Sequence, residues 1–243
     1  MSLLLILTIL LPLAASLLIM VGADPRRTAL GAAVANLAAS LVLFFAYDRI
    51  DGGWQFLSEW KILPKLGINM TLGADGLTLT MLLLATLVTV SALWVAPKVG
   101  KHEGLYYISL LFISAGVIGA FASLDVLFLY SFHELALIPT FLMIGIWGSG
   151  DRQAAAWKAT IYLGLGSFVL LIGLIALYLS IPAGQRTLDL RELDQMAATG
   201  AFHPSAWIYL ILLVGFGSLV SLFPFHSWAP PAYACAPAPA AML

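Results

Sequence analysis

Apolar residues along this chain come in blocks of about twenty, separated by short polar stretches. A helix rises about 1.5 Å per residue, so a block of that length crosses a hydrocarbon core of about 30 Å. On that ruler the pattern predicts about seven crossings or near-crossings, at 2–22, 28–47, 76–97, 104–122, 124–147, 154–179 and 205–223, followed by a broken segment at 224–243. The fold class is an all-α polytopic membrane protein with a kinked helix 5 and a broken helix 7. Residues 1–243 form a single transmembrane domain, and 48–75 and 180–204 are its extramembrane loops. The first block is too long for a signal-peptide core and lacks a positive leader, so it reads as a transmembrane helix. Within "GQRTLDLRELDQMAATG", Leu188, Leu190, Leu193 and Met196 sit among charges. That spacing fits a short amphipathic interfacial helix, and equally a solvated loop with a turn or two of helix.

Composition agrees. The 243 residues are 62% hydrophobic and 9% charged, with mean hydropathy +1.01, which leaves too little charge to cover a soluble surface. A single cysteine, Cys235, excludes an internal disulfide framework and cannot alone hold zinc or an iron–sulfur cluster. There is no glycine-rich nucleotide fingerprint and no basic stripe for nucleic acid. The expectation is that this chain carries no catalytic residue in the enzymatic sense, no cofactor and no metal.

Charge placement says more than the net charge of −1. Arg26 and Arg27, Lys98 and Lys101, and Arg152 with Lys158 mark one side of the membrane. If that side is cytoplasmic, the N-terminus is periplasmic. Glu134 is the exception among the loop charges. Counted from residue 124 it lies roughly 15 Å into its helix, near mid-depth, where a charge is costly and commonly functional. Burial there disfavours the ionised form and suits a group that loads and releases a proton. Pro139, five residues on, has no N–H and frees the Leu135 carbonyl. The pair reads either as a proton site with a wet helix break or as a polar tie beside an ordinary kink. Lys158 lies about one turn into helix 6 and reads as a relay or as a lysine snorkelling to the headgroups. Five prolines, among them Pro224 and Pro230, break the last segment, and His226 sits there as a proton shuttle or as a donor to freed carbonyls. Gly164 with Gly166, and Gly116 with Ala120, are expected to allow close helix packing.

Three stretches resemble one family. They are "LGADGLTLTMLLLATLVTVSALW", "LDVLFLYSFHELALIPTFLMIGIWG" and "LFPFHSWAPPAYACAPAPAAM". Together they are similar to the antiporter-like subunit M (chain 4) of bacterial respiratory complex I, the proton-translocating NADH:quinone oxidoreductase. The resemblance implies two inverted repeats, each with a broken helix, of which this chain is the N-terminal portion, truncated in the first. It implies proton translocation coupled to quinone reduction, with NAD, flavin, iron–sulfur clusters and quinone held by partner subunits of a membrane arm in a bacterial inner membrane. It places Glu134, Lys158 and His226 at the family's proton-handling positions. Two departures stand out. Leu219 occupies the position, seven residues before His226, where the family has a lysine partner for the glutamate. His133 stands where tryptophan is more usual, as a partial substitute for that lysine. The alternatives are a cation/proton antiporter subunit and a structural membrane subunit with impaired pumping.

Overall fold

The computed structural model describes residues 1–100, 102–200 and 202–243. Lys101, one of the loop lysines, lies outside the described residues. Among the described residues, six helices are long and apolar enough to cross a membrane. They are α1 (Ser2–Met20), α2 (Pro25–Ala46), α3 (Gly76–Val95), α4 (Glu103–Ala122), α5 (Val126–Trp147) and α6 (Arg152–Ser180). The amphipathic stretch forms a short helix, α7 (Leu190–Ala198). The seventh apolar block gives only α8 (Ala206–Leu219), whose 14 residues rise about 21 Å, short of a hydrocarbon core of about 30 Å. The chain then continues as a 3-10 turn (Phe225–Trp228), α9 (Ala229–Cys235) and α10 (Ala238–Met242).

Proline chemistry explains that fragmentation. Pro224, Pro230 and Pro237 stand at or next to the start of the three pieces, where the missing N–H breaks no helical bond. The indole of Trp228 donates to the Ser218 carbonyl at 3.0 Å, and Leu222 N–H donates to Gly217 at 2.7 Å. Ser227 Oγ donates to the Tyr162 hydroxyl at 3.0 Å, which ties the break to α6. In contrast to this break, α5 runs unbroken through the buried Pro139.

The segment read as an extramembrane loop at 48–75 contains a β-hairpin. Strand β1 (Gln55–Leu63) pairs antiparallel with β2 (Ile68–Ala74), with Glu59 opposite Thr71 and Trp60 opposite Met70. Its polar and apolar residues do not alternate cleanly, because irregularities at Gln55/Ser58 and Lys61/Leu63 shift the register. The tip turns at Gly67, which has a left-handed φ of 66° and lies against the Arg186 carbonyl, so a side chain there would both strain and collide. Tyr178 donates to Leu66 O at 2.6 Å, which fastens the tip to the end of α6.

Helix α4 is the centre of the α1–α5 bundle, with 67% of its span buried. Its Tyr106, Tyr107, Leu110 and Leu111 meet residues of α1, α2, α3 and α5. A second group, with Leu5, Leu43, Leu72 and Ile118, lies under the hairpin. Helices α5, α6 and α8 form the other half, around Ile144, Ala156, Leu170 and Leu174. Small residues set the seams, though not at all the expected positions. Gly116 and Gly119 let α5 approach at Phe132, and Gly166, Gly173 and Gly215 join α6 to α8. Gly164 faces open space, and it is Gly119 rather than Ala120 whose missing side chain admits Phe132.

Candidate functional site

Helix α5 carries Glu134, the acid expected near mid-membrane. It starts at Asp125, whose side chain caps the helix by accepting from Leu127 N–H at 2.9 Å and Phe128 N–H at 3.2 Å. Glu134 lies about 14 Å further along. Only 17% of this span is buried, so α5 is far more open than α4. Ser131 and Ile138 are exposed, and Glu134 lies between them at i, i+3, i+7 spacing on the open stripe.

His133 and Glu134 turn toward each other. His133 Nδ1 lies 3.6 Å from Glu134 Oε1, and the two side chains are 35% and 31% exposed. Both facing atoms are themselves buried and accept or donate no hydrogen bond. At that distance the contact is a charge pair when the imidazole is protonated, just beyond a hydrogen bond. A small approach would let one proton be shared between ring and carboxylate. Tyr130, one turn earlier, is within electrostatic reach of Glu134.

The other sequence candidates are more scattered. Lys158 is exposed on α6, beside the buried Ala155, Ala156 and Ala159, and forms no ion pair with Glu134. Among the described residues the ion pairs are His133–Glu134 and Asp189–Arg191. His226 is exposed in the 3-10 turn and stacks on Phe223 at 5.5 Å between ring centroids. Trp228, not His226, donates to a carbonyl at the break. Leu219 packs where α5, α6 and α8 meet, in groups that include Tyr130 and Leu137. Those residues flank Glu134 by one turn on either side, and the position expected to hold a lysine is itself apolar.

A second pair of acids, which sequence reading left among the loop charges, lies at the hairpin side of α5. The segment at Ser123–Asp125 joins the hairpin: Leu124 N–H donates to Thr71 O at 2.9 Å. On its other edge Val126 N–H donates to Leu188 O at 3.0 Å, and Leu190 N–H donates to Leu124 O at 2.8 Å. Asp125 therefore stands opposite Asp189 across a β-bridge, and both are buried. Asp189 caps α7 and holds Arg191 through both carboxylate oxygens, at 3.0 and 2.8 Å. Burial pushes Asp189 up, but the Arg191 bonds outweigh it and leave the carboxyl below its ordinary range. Asp125 has no such partner. Burial, with the Asp189 charge as a smaller contribution, outweighs its two backbone bonds and raises it to about 6. The one signal for this pair was the N-cap pattern itself, Asp before an apolar run, which also marks Asp24 and Asp75.

The family described as NADH:quinone oxidoreductase/Mrp antiporter, transmembrane, matches residues 123–243. The chain is 33% identical over 241 residues to NAD(P)H-quinone oxidoreductase chain 4 2 of Trichodesmium erythraeum (strain IMS101), covering 97% of this chain and 42% of that protein. It is 33% identical over 216 residues to F(420)H(2) dehydrogenase subunit M of Methanosarcina mazei, covering 86% of this chain and 43% of the other. It thus spans about two fifths of the length of these curated relatives. Among solved structures, a chain of respiratory complex I from Thermus thermophilus with bound NADH is 26% identical with a TM-score of 0.82, over 96% of this chain and 47% of that one. A chain of the Mrp complex from Dietzia sp. DQ12-45-1b, at 19% identity and a TM-score of 0.73 over 99% of this chain and 26% of that one, shares the fold.

Proposed function

The chain belongs to the NADH:quinone oxidoreductase/Mrp antiporter membrane family, and from that premise we propose that it acts in the membrane arm of a proton-translocating NADH:quinone oxidoreductase. The observation that carries the reading is an acid near the middle of a membrane-length helix, on its open face, with an imidazole as its near neighbour. Glu134 takes up a proton from a hydrated path, and His133 offsets its charge when it ionises. Leu219 supplies no fixed cation, and His133 is the charged partner within reach of the carboxylate. Conformational and charge changes in neighbouring membrane subunits drive the cycle. Lys158 and His226, both exposed, exchange protons with water or with those neighbours.

The quinone, flavin, iron–sulfur clusters and NADH belong to partner subunits in this proposal. The chain lies in the inner membrane of a bacterium, multi-pass, with the basic loops cytoplasmic and the N-terminus and hairpin periplasmic. A second reading, a subunit of a cation/proton exchanger, is favoured by the antiporter half of the family description. Replacing Glu134→Gln in the full-length protein within its complex, and measuring protons moved per electron, tests the first. The expected result is a lower ratio with assembly retained. An unchanged ratio with normal assembly overturns it, and proton uptake driven by a cation gradient without NADH oxidation selects the second reading.

A further inference from the structure

The start of α5 is held from two sides by backbone bonds to segments far away in the chain. On one side Leu124 N–H donates to Thr71 O of the hairpin. On the other, Val126 N–H donates to Leu188 O and Leu190 N–H donates to Leu124 O, so both bonds lie one residue outside the Asp125–Asp189 pair. That is the non-hydrogen-bonded type of antiparallel pair. Its Cα atoms stand about 4.5 Å apart and its side chains lie closest. Like charges directly opposite each other in such a pair are destabilising.

The charges around the pair favour one acid over the other. Asp189 holds Arg191 through both carboxylate oxygens and also accepts from the Thr71 side chain. Glu192 in the first turn of α7 and Glu59 on the hairpin are within electrostatic reach of Arg191, and neither supplies a cation. Toward α6 and α8 the neighbours of Val126 are apolar, with Leu170, Leu174 and Leu212. Among the described residues no cation pairs with Asp125. It therefore faces a carboxylate that stays ionised, in a buried place, with the one cation of the junction already committed. Helix α7 itself has no buried residue. A segment with so few buried contacts opens locally at far less cost than the whole fold.

We propose that the Asp125–Asp189 bridge is a pH-sensitive latch: a proton on Asp125 closes it, and loss of that proton frees α7 and its connection from the start of α5. The pH on the hairpin side of the membrane sets the latch, whether or not Glu134 moves protons. Burial, with the Asp189 charge as a smaller contribution, raises Asp125 from 3.8 to about 6 in the closed form. Opening exposes the group and returns it to the ordinary carboxylate range. Between those values the closed form keeps a proton that the open form gives up, so each pH unit favours opening by about tenfold. Above about 6 both forms have lost the proton and the dependence levels off.

The test is hydrogen–deuterium exchange, read by mass spectrometry, on the full-length protein in its complex in lipid nanodiscs. It runs from about pH 4 to about pH 8 with the intrinsic exchange rates divided out. Peptides carrying the Val126 and Leu190 amides should lose protection by about a hundredfold up to about pH 6 and then hold level, while peptides from α4 stay constant. Asp125→Asn, which keeps an oxygen for the helix cap, should hold the protection of both amides constant over the whole range. Protection of these amides that is flat with pH in the wild type overturns the proposal without any variant. A pH response that survives in Asp125→Asn also overturns it, and so does a parallel loss of protection in α4, which would mean opening of the whole fold.

Discussion

Replacing Asp125 by Asn is expected to stabilise the protein at neutral pH and to leave it nearly unchanged in acid. Asp125 is buried opposite Asp189, and burial raises it from 3.8 to about 6. A shift of that size, at about 1.4 kcal/mol per pH unit, is about 3 kcal/mol. The sign follows from proton binding. Between the unfolded value and about 6 the folded chain holds the extra proton, so this contribution is complete in acid and is lost as pH rises through about 6. Asn cannot ionise, yet it keeps a side-chain oxygen for Leu127 and Phe128 N–H, and it caps helices about as well as Asp. The variant should therefore gain up to about 3 kcal/mol over wild type at neutral pH, and differ by less than about 1 kcal/mol below the ordinary carboxylate range. Denaturant unfolding in lipid bicelles at a series of pH values reads the difference directly. Asp189→Asn supplies the opposite sign. Its lowered carboxyl contributes stability above the ordinary Asp range, lost as pH falls through its folded value. Removing it should cost about 1–3 kcal/mol at neutral pH, with Arg191 partly rescued by water, and the deficit should shrink in acid. A variant Asp125→Asn whose stability tracks wild type at every pH would refute the assignment of a buried, unpaired carboxyl at this bridge.

Two further outcomes follow from the packing. Leu219→Lys places an ammonium in the apolar groups that also hold Tyr130 and Leu137; in a double-mutant cycle with Glu134→Gln, thermal unfolding should show a coupling of about 1–3 kcal/mol, and simple additivity would mean that the two positions do not meet. Gly215→Ala puts a methyl 2.7 Å from the Leu170 backbone, so the α6–α8 seam should open at a cost of about 1–3 kcal/mol, whereas Gly164→Ala, facing open space, should be near neutral in the same unfolding measurement.

Much of the candidate site was legible along the chain. Glu134 is visible because a carboxylate inside an apolar block has no local reason to be there, and Pro224, Pro230 and Pro237 mark the breaks because proline cannot sit inside a helix without losing a bond. The relation among the candidates was not legible. The directions of Lys158 and His226 depend on how α6 and the broken segment pack, and both emerge exposed. His133 and Glu134 are adjacent in sequence, and adjacent helical residues do not ordinarily face each other, so their 3.6 Å approach rests on side-chain rotamers set by neighbours. The hairpin was hidden by its register shifts, which blur the two-residue alternation that reveals a strand.

The amino-acid sequence by itself determined the helices that cross the membrane. In lipid each backbone group must be satisfied within its own segment, so an apolar block of sufficient length has no other structure open to it. It likewise determined that the last segment is broken, because five prolines cannot share one straight helix. Tertiary structure alone decided which acids are buried. Asp125 and Asp189 both look like surface caps in the chain, and become a buried pair only when the hairpin, the start of α5 and the start of α7 align their backbones. Those hydrogen bonds join segments far apart in sequence, and neither periodicity nor composition along one segment carries information about a partner on another.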